Sequence, residues 1–255
     1  MAETINIEKK RFLHSLVFPL FFLFFIWMIK LVEIIMDYDF APYSLYPRKL
    51  SGLLGIITSP LLHSGIKHLV SNSVPVLVLG LGVFYFYNKV AYKVLLISYF
   101  AQGIWLWCFG REAYHLGASG LIYSFFSFLF LSGIIRKNIN LLAISLFVAF
   151  WYGSMIWGIF PVDRPVSWEG HLMGLIAGAV LAVYYRKQGP QQKIYDWELE
   201  EKIEDEAETE EFPYWKIGIN TREKAINEKT DHSNFDEGIK YHYIKKKGKD
   251  KPKNN

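Results

Sequence analysis

Apolar residues fill the first 186 positions in long blocks separated by short polar interruptions. Six blocks, 12–35, 69–87, 94–110, 116–135, 141–160 and 168–185, each run 17 to 24 residues with few charges. A bilayer's hydrocarbon core of roughly 30 Å takes about 20 apolar residues per helical crossing, so the pattern predicts six transmembrane helices and an all-α membrane protein. The first block is longer than the ~7 to 15 apolar residues of a signal peptide, and no small-residue cleavage site follows it, so it is read as a retained helix. Between the first two blocks lies a long, apolar connection. Its Leu53-Leu54-Gly55-Ile56-Ile57 stretch is too short to cross and is expected to lie in the outer interface or re-enter partway. There is no internal repeat and no duplication of one half in the other, as many transporters show.

Composition divides the chain in two. The overall 52% hydrophobic content averages a body with 22 Lys, Arg, Asp and Glu in its first 186 residues and a tail with 30 in its last 69. The body is too apolar for a water-soluble enzyme, and the tail is too charged to build a core. The expected organisation is a cytoplasmic segment 1–11, a six-helix domain 12–186, and a disordered polar C-terminal tail 187–255. That tail is acidic from Asp196 to Glu211, interrupted by Phe212, Pro213, Tyr214 and Trp215, and basic from Lys245 to Lys253. Cys108 is the sole cysteine, which excludes a disulfide scaffold. A net charge of +4 spread over separate clusters gives no nucleic-acid footprint. Lys9, Lys10, Arg11, Lys89, Lys93, Arg136, Lys137, Arg186 and Lys187 gather at one side of the predicted bundle, against Lys30, Arg48, Lys49, Lys67, Arg111 and Arg164 at the other. Cytoplasmic loops retain Lys and Arg, so both termini are expected inside, in a bacterial-type plasma membrane.

Polar side chains are costly in hydrocarbon, which makes those within the blocks informative. Counted from the inner-side charges at 1.5 Å per residue, Ser119 and Asn72 lie about 25 Å up, His171 about 23 Å and His68 about 32 Å. His68 and Asn72 share a helix face, Ser119 aligns with Tyr123, and His171 aligns with Gly174 and Gly178. Glycines every fourth residue let helices approach closely, and Gly117-Ala118-Ser119-Gly120 offers a matching smooth surface. Each residue alone has an ordinary structural reading: a packing serine, an interhelical asparagine, an interfacial histidine. Four of them at one level on three parallel helices do not.

The ordered motifs His68-Leu-Val-Ser-Asn72, Gly117-Ala-Ser119-Gly120 with Tyr123, and His171-Leu-Met-Gly174-Leu-Ile-Ala-Gly178 resemble those of the rhomboid intramembrane serine proteases. His63, five residues before His68, fits the same pattern. Two departures stand out. Val166 occupies the position of the first glycine in the family's GxxxAH, and Tyr46-Pro47-Arg48 stands where many members have Trp-Arg. The resemblance implies a six-transmembrane-helix rhomboid-like bundle in which Ser119 is the nucleophile and His171 its general base, a dyad, since Glu169 lies only two residues from His171 and faces elsewhere. It further implies an oxyanion site of His68, Asn72 and the Ser119 backbone N–H, a histidine-orienting ring at Tyr123, and helix packing at Gly117, Gly120, Gly174 and Gly178. Ser59, His63, Ser64, Ser71 and Ser73 are candidates to line a wet cavity. No cofactor and no metal site are expected: His63 and His68 are not at zinc-ligand spacing, and HExxH is absent. The implied partners are transmembrane protein substrates and the lipid bilayer. The oligomeric state is not indicated. A rhomboid-like non-protease that binds membrane clients is the alternative from another class; a transporter lacks the paired mid-membrane charges it would need.

Overall fold

A computed structural model describes residues 2–151, 157–161 and 166–190, and the tail beyond them lies outside the described residues. Among the described residues the main helices are six: α1 (Ala2–Met36), α2 (Ile66–Phe86), α3 (Ala91–Phe109), α4 (Ser119–Ile135), α5 (Ile139–Trp151) and α6 (Trp168–Tyr184). Among the described residues there is no strand, only the isolated antiparallel bridge Leu45–His115. Each helix matches one apolar block, with displaced ends. The fourth begins at Ser119 and not at 116, because Gly117 takes φ +117°, a conformation that glycine alone adopts without strain. The fifth is described over Ile139–Trp151, and Trp157–Ile159 forms a 3-10 turn; residues 152–156, also within the predicted block, lie outside the described residues. Among the described residues, α1 and α2 are the helices both long and apolar enough to cross a bilayer by length and composition. At 17 residues each, α4 and α6 reach roughly 25 Å.

Local chemistry explains the helix ends. Asn138 accepts the N–H groups of Asn140 (3.1 Å) and Leu141 (3.3 Å) on its Oδ1, capping the first turn of α5. Asp37 takes φ +47° just after α1, and the Tyr38 N–H returns to the Glu33 carbonyl at 3.3 Å, the hydrogen-bond pattern of a left-handed helix end. The apolar connection is a string of short turns, Leu50–Leu53, Gly55–Thr58 and Ser59–Leu61, with Leu50, Leu54 and Ile57 exposed. It is tethered to α3, since Arg48 donates to the Gly110 carbonyl (2.7 Å) and Trp107 Nε1 to the Lys49 carbonyl (3.0 Å).

The core centres on α4, with α2 and α6 each packed against it, and is built on Leu69, Val76, Leu79, Leu121, Phe125, Phe128 and Leu181. Contact is most extensive between α4 and α6. A Cβ on Gly174 would overlap the Gly120 carbonyl, and one on Gly178 would overlap the Ser124 carbonyl and Ser127 Oγ, so these glycines let the two backbones touch. α1 packs along α2 through Phe18 stacked on Phe84 at 5.0 Å and through Pro19 lying over Gly80. At the other end of the bundle, buried Arg136 donates to the Tyr87 hydroxyl and to the carbonyls of Tyr185, Arg186 and Gln188, fastening the ends of α2, α4 and α6 together.

Candidate active site

Ser119 opens α4 and His171 lies in the first turn of α6, so the contact between these two helices places one beside the other. The distance from His171 Nε2 to Ser119 Oγ is 2.8 Å. The other ring nitrogen, Nδ1, sits 2.7 Å from the Gly158 carbonyl. A carbonyl oxygen can only accept, so Nδ1 carries a proton, and in the neutral ring Nε2 is left as the acceptor for the serine hydroxyl. Tyr123, one turn along from Ser119, stacks on the imidazole at 4.3 Å between centroids and 14° between planes. A backbone carbonyl and an aromatic face hold this histidine, whereas Glu169 is engaged elsewhere, with its Oε1 3.6 Å from Arg111 Nε.

Opposite the pair, α2 contributes His68 and Asn72. A Cβ built on Gly117 would lie 2.8 Å from His68 Nε2 and 3.5 Å from Asn72 Nδ2, so the absence of a side chain there makes room for both groups beside the start of α4. Asn72 is buried, and among the described residues its Nδ2 has no hydrogen-bond partner. Ser119 is the first helical residue after a cap with no side-chain hydrogen bond, and first-turn amides lack intrahelical acceptors, so its N–H points out of the helix end. Asn72 Nδ2 and His68 thus lie against Gly117, two residues before Ser119.

Of the positions singled out from the sequence, Ser119, His171, Tyr123, His68, Asn72, Gly117 and His63 lie within or against this cluster, Gly174 meets Gly120 beside it, and Gly178 packs farther along α4 against the Ser124 carbonyl and Ser127 Oγ. The hydroxyls expected to line a cavity divide differently. Ser59 donates to the His115 carbonyl (2.7 Å) and accepts the Leu45 N–H (2.6 Å), fastening the Leu45–His115 bridge. Ser73 points at α1, accepting Trp27 Nε1 at 3.1 Å, and Ser71 returns to the His68 carbonyl. Ser64 Oγ lies 3.2 Å from His68 Nδ1, and Ser59 lines the cavity beside Ser119, its carbonyl accepting the Gly117 N–H at 2.9 Å. A small cavity does adjoin Ser119, about 20 Å³ in volume and lined in part by Gln102, His115, Ser167 and Gly170, which is room for about one water molecule.

Several participants carry no signal in sequence spacing. The Gly158 carbonyl is backbone. Gln102 on α3 reaches Gly120 with its Oε1. His115 is buried, with Nδ1 2.6 Å from Ser167 Oγ at the cap of α6, and burial pushes it below the ordinary imidazole value. Arg111 donates to the Val166 carbonyl at 2.8 Å as well as pairing with Glu169. His115 and Arg111 thus clamp the N-terminal end of α6 at the place where Val166 departs from the glycine pattern. Among the described residues no group of three His, Cys, Asp or Glu side chains converges as metal ligands would.

The Rhomboid domain family model matches residues 51–188, more than half of the chain and every residue of the site. The chain belongs to the rhomboid family. Uncharacterized proteins of Mycobacterium tuberculosis (strain H37Rv) and Mycobacterium bovis are each 33% identical to it over 183 residues, covering 68% of this chain and 75% of theirs. An uncharacterized protein of Mycobacterium leprae is 29% identical over 213 residues, covering 75% of this chain and 78% of its own. Rhomboids are in general intramembrane serine proteases of integral membrane character, and this rhomboid has the apolar helices to match.

Proposed function

We propose that this rhomboid is a serine endopeptidase that cleaves transmembrane segments of other membrane proteins near the outer face of the bilayer, with Ser119 as nucleophile and His171 as general base. The observation that carries the reading is the 2.8 Å contact of His171 Nε2 with Ser119 Oγ while Nδ1 is committed to the Gly158 carbonyl. A serine hydroxyl is nearly inert at neutral pH until a positioned imidazole takes its proton, and this tautomer is the one able to take it.

The chemistry follows from the geometry. Ser119 Oγ attacks the substrate carbonyl carbon as its proton passes to His171 Nε2, and the carbonyl oxygen becomes an oxyanion. Asn72 Nδ2, His68 and the Ser119 N–H border the place where that charge develops, and fixed donors in a water-poor site stabilise it far better than they would in solution. Collapse breaks the C–N bond, and the amine leaves with the proton that His171 returns. Water then attacks the acyl-serine, again giving its proton to His171, and the acid product departs as Ser119 recovers its hydrogen. The cavity beside Ser119 supplies a place for that water. Tyr123 keeps the ring in plane through both proton transfers. A substrate helix must unwind locally, because its carbonyls are hydrogen-bonded and its backbone shielded.

In this reading all six helices cross the membrane with both termini cytoplasmic, the shorter α4 and α6 starting below the outer surface so that the dyad lies within the membrane, and 187–255 is a cytoplasmic tail dispensable for catalysis. The test is labelling of detergent-purified protein with a fluorescent phosphonofluoridate-type probe. Wild type is expected to label and Ser119→Ala is not. A wild-type protein that stays unlabelled while correctly folded would favour the client-binding alternative.

A further inference from the structure

The first helix carries an ion pair where an apolar helix has least use for one. Lys30 and Glu33, one turn apart on α1, have side chains only 9% and 14% exposed, with Nζ to Oε2 at 3.0 Å. Charge buried in such a place is costly, and exchanging a buried ion pair for apolar residues is often neutral or stabilising, so stability alone does not account for it. The lysine makes a second contact. Its Nζ donates to the backbone carbonyl of His63 at 2.9 Å, across 33 residues of chain, on the loop just before α2.

His63 is itself buried and joins two parts of the site. Its Nε2 lies 3.5 Å from the Ala118 N–H, the residue before Ser119, and its ring meets that of His68 edge to face at 5.1 Å. To accept the Ala118 N–H, His63 must stay neutral. Burial chiefly, then His68, and also the nearby Lys30 charge, push it down to about 3, while a hydrogen bond with the Leu61 backbone acts the other way. A chain of contacts therefore runs from Lys30 through His63 to both sides of the region bordered by His68, Asn72 and the Ser119 N–H.

We propose that Lys30, held by Glu33, is a positioning residue for the oxyanion side of the site, fixing the His63 loop so that His68 and, through Ala118, the Ser119 N–H are held toward the developing charge. This rests on the protease reading above. Lys30 touches no reacting atom. Its effect belongs to the transition state, so it falls on kcat and leaves KM little changed.

The experiment compares full-length wild type with Lys30→Met/Glu33→Leu, Lys30→Arg and Trp27→Phe, each purified in detergent and assayed for cleavage of a transmembrane substrate and for thermal unfolding. Trp27 serves as the control because it links the same helix to α2 through Ser73, away from His63. The apolar double variant is expected to unfold at the same temperature as wild type or higher, yet to lose about 10-fold in kcat at unchanged KM. Lys30→Arg is expected to regain most of that loss, and Trp27→Phe to keep wild-type kcat. Hydrogen exchange at residues 62–68 and at Ala118 should quicken in the double variant, a readout that needs no activity. A folded double variant with kcat within twofold of wild type overturns the inference, as does a loss shared equally by Trp27→Phe. Wild type that neither cleaves nor labels overturns the protease reading, and the catalytic role of Lys30 with it.

Discussion

Asn72→Ala separates a donor that waits for charge from one that merely holds helices together. In the resting protein Asn72 Nδ2 is buried without a hydrogen-bond partner among the described residues, a situation that costs about 1–3 kcal/mol. Removing the amide therefore relieves that cost while forfeiting some packing beside Gly117, and the net change in stability is expected to be near zero. An interhelical hydrogen bond would behave in the opposite sense, its loss destabilising the fold by about 1 kcal/mol. Catalysis carries the larger number. Loss of one oxyanion donor typically lowers turnover about 100- to 1,000-fold, or about 2.7–4 kcal/mol in the barrier. The assay pairs kcat on a transmembrane substrate with the unfolding temperature of the same preparation. Expected are a drop of two to three decades in kcat, an unfolding temperature close to wild type, and slower but complete probe labelling of Ser119. Near-normal kcat would refute the reasoning, and so would activity lost only in step with the unfolding temperature.

The α4–α6 contact makes Gly178→Val severe, because its Cβ would overlap the Ser124 carbonyl and force apart the two helices that carry Ser119 and His171; overpacking of this kind costs about 1–3 kcal/mol or more, read as a fall in unfolding temperature together with loss of cleavage. His63, whose folded value of about 3 lies below the ordinary imidazole value of 6.5, contributes stability that is complete above pH 6.5 and is lost as pH falls toward 3, at up to about 1.4 kcal/mol per pH unit. His63→Gln should flatten that acid limb in unfolding curves taken at successive pH values, and an unchanged slope would contradict it. Reporter fusions after Asn88, Arg136 and Asn255 should all read inside; an outside signal at Asn255 with an inside signal at Asn88 would break the parallel orientation of α2, α4 and α6.

The long apolar blocks made the helices legible, because burial in lipid or in the bundle leaves the same unbroken run in sequence. Measuring height from the inner charges brought Ser119, His171 and Asn72 to one level, since a straight helix converts residue number into distance with little error. Helix ends were less visible. The fourth block continues to residue 116 in hydropathy, but Gly117's backbone angle stops the helix at Ser119. Of the two groups that hold the imidazole, the Tyr123 ring was expected from the resemblance, whereas the Gly158 carbonyl was not visible: it belongs to a short 3-10 turn, and no side-chain pattern marks a backbone acceptor. Lys30 escaped for a related reason. Hydropathy counts it as an outer-end charge, and only the fold brings the His63 carbonyl to it.

Cleavage of a transmembrane substrate by purified wild type, Ser119→Ala, His171→Ala and the double variant tests the dyad most directly. Groups that act as one nucleophilic unit are strongly non-additive, so each single substitution should abolish turnover and the double variant should be hardly worse than either. Substantial cleavage by Ser119→Ala, or losses in the two single variants that multiply in the double, would contradict it.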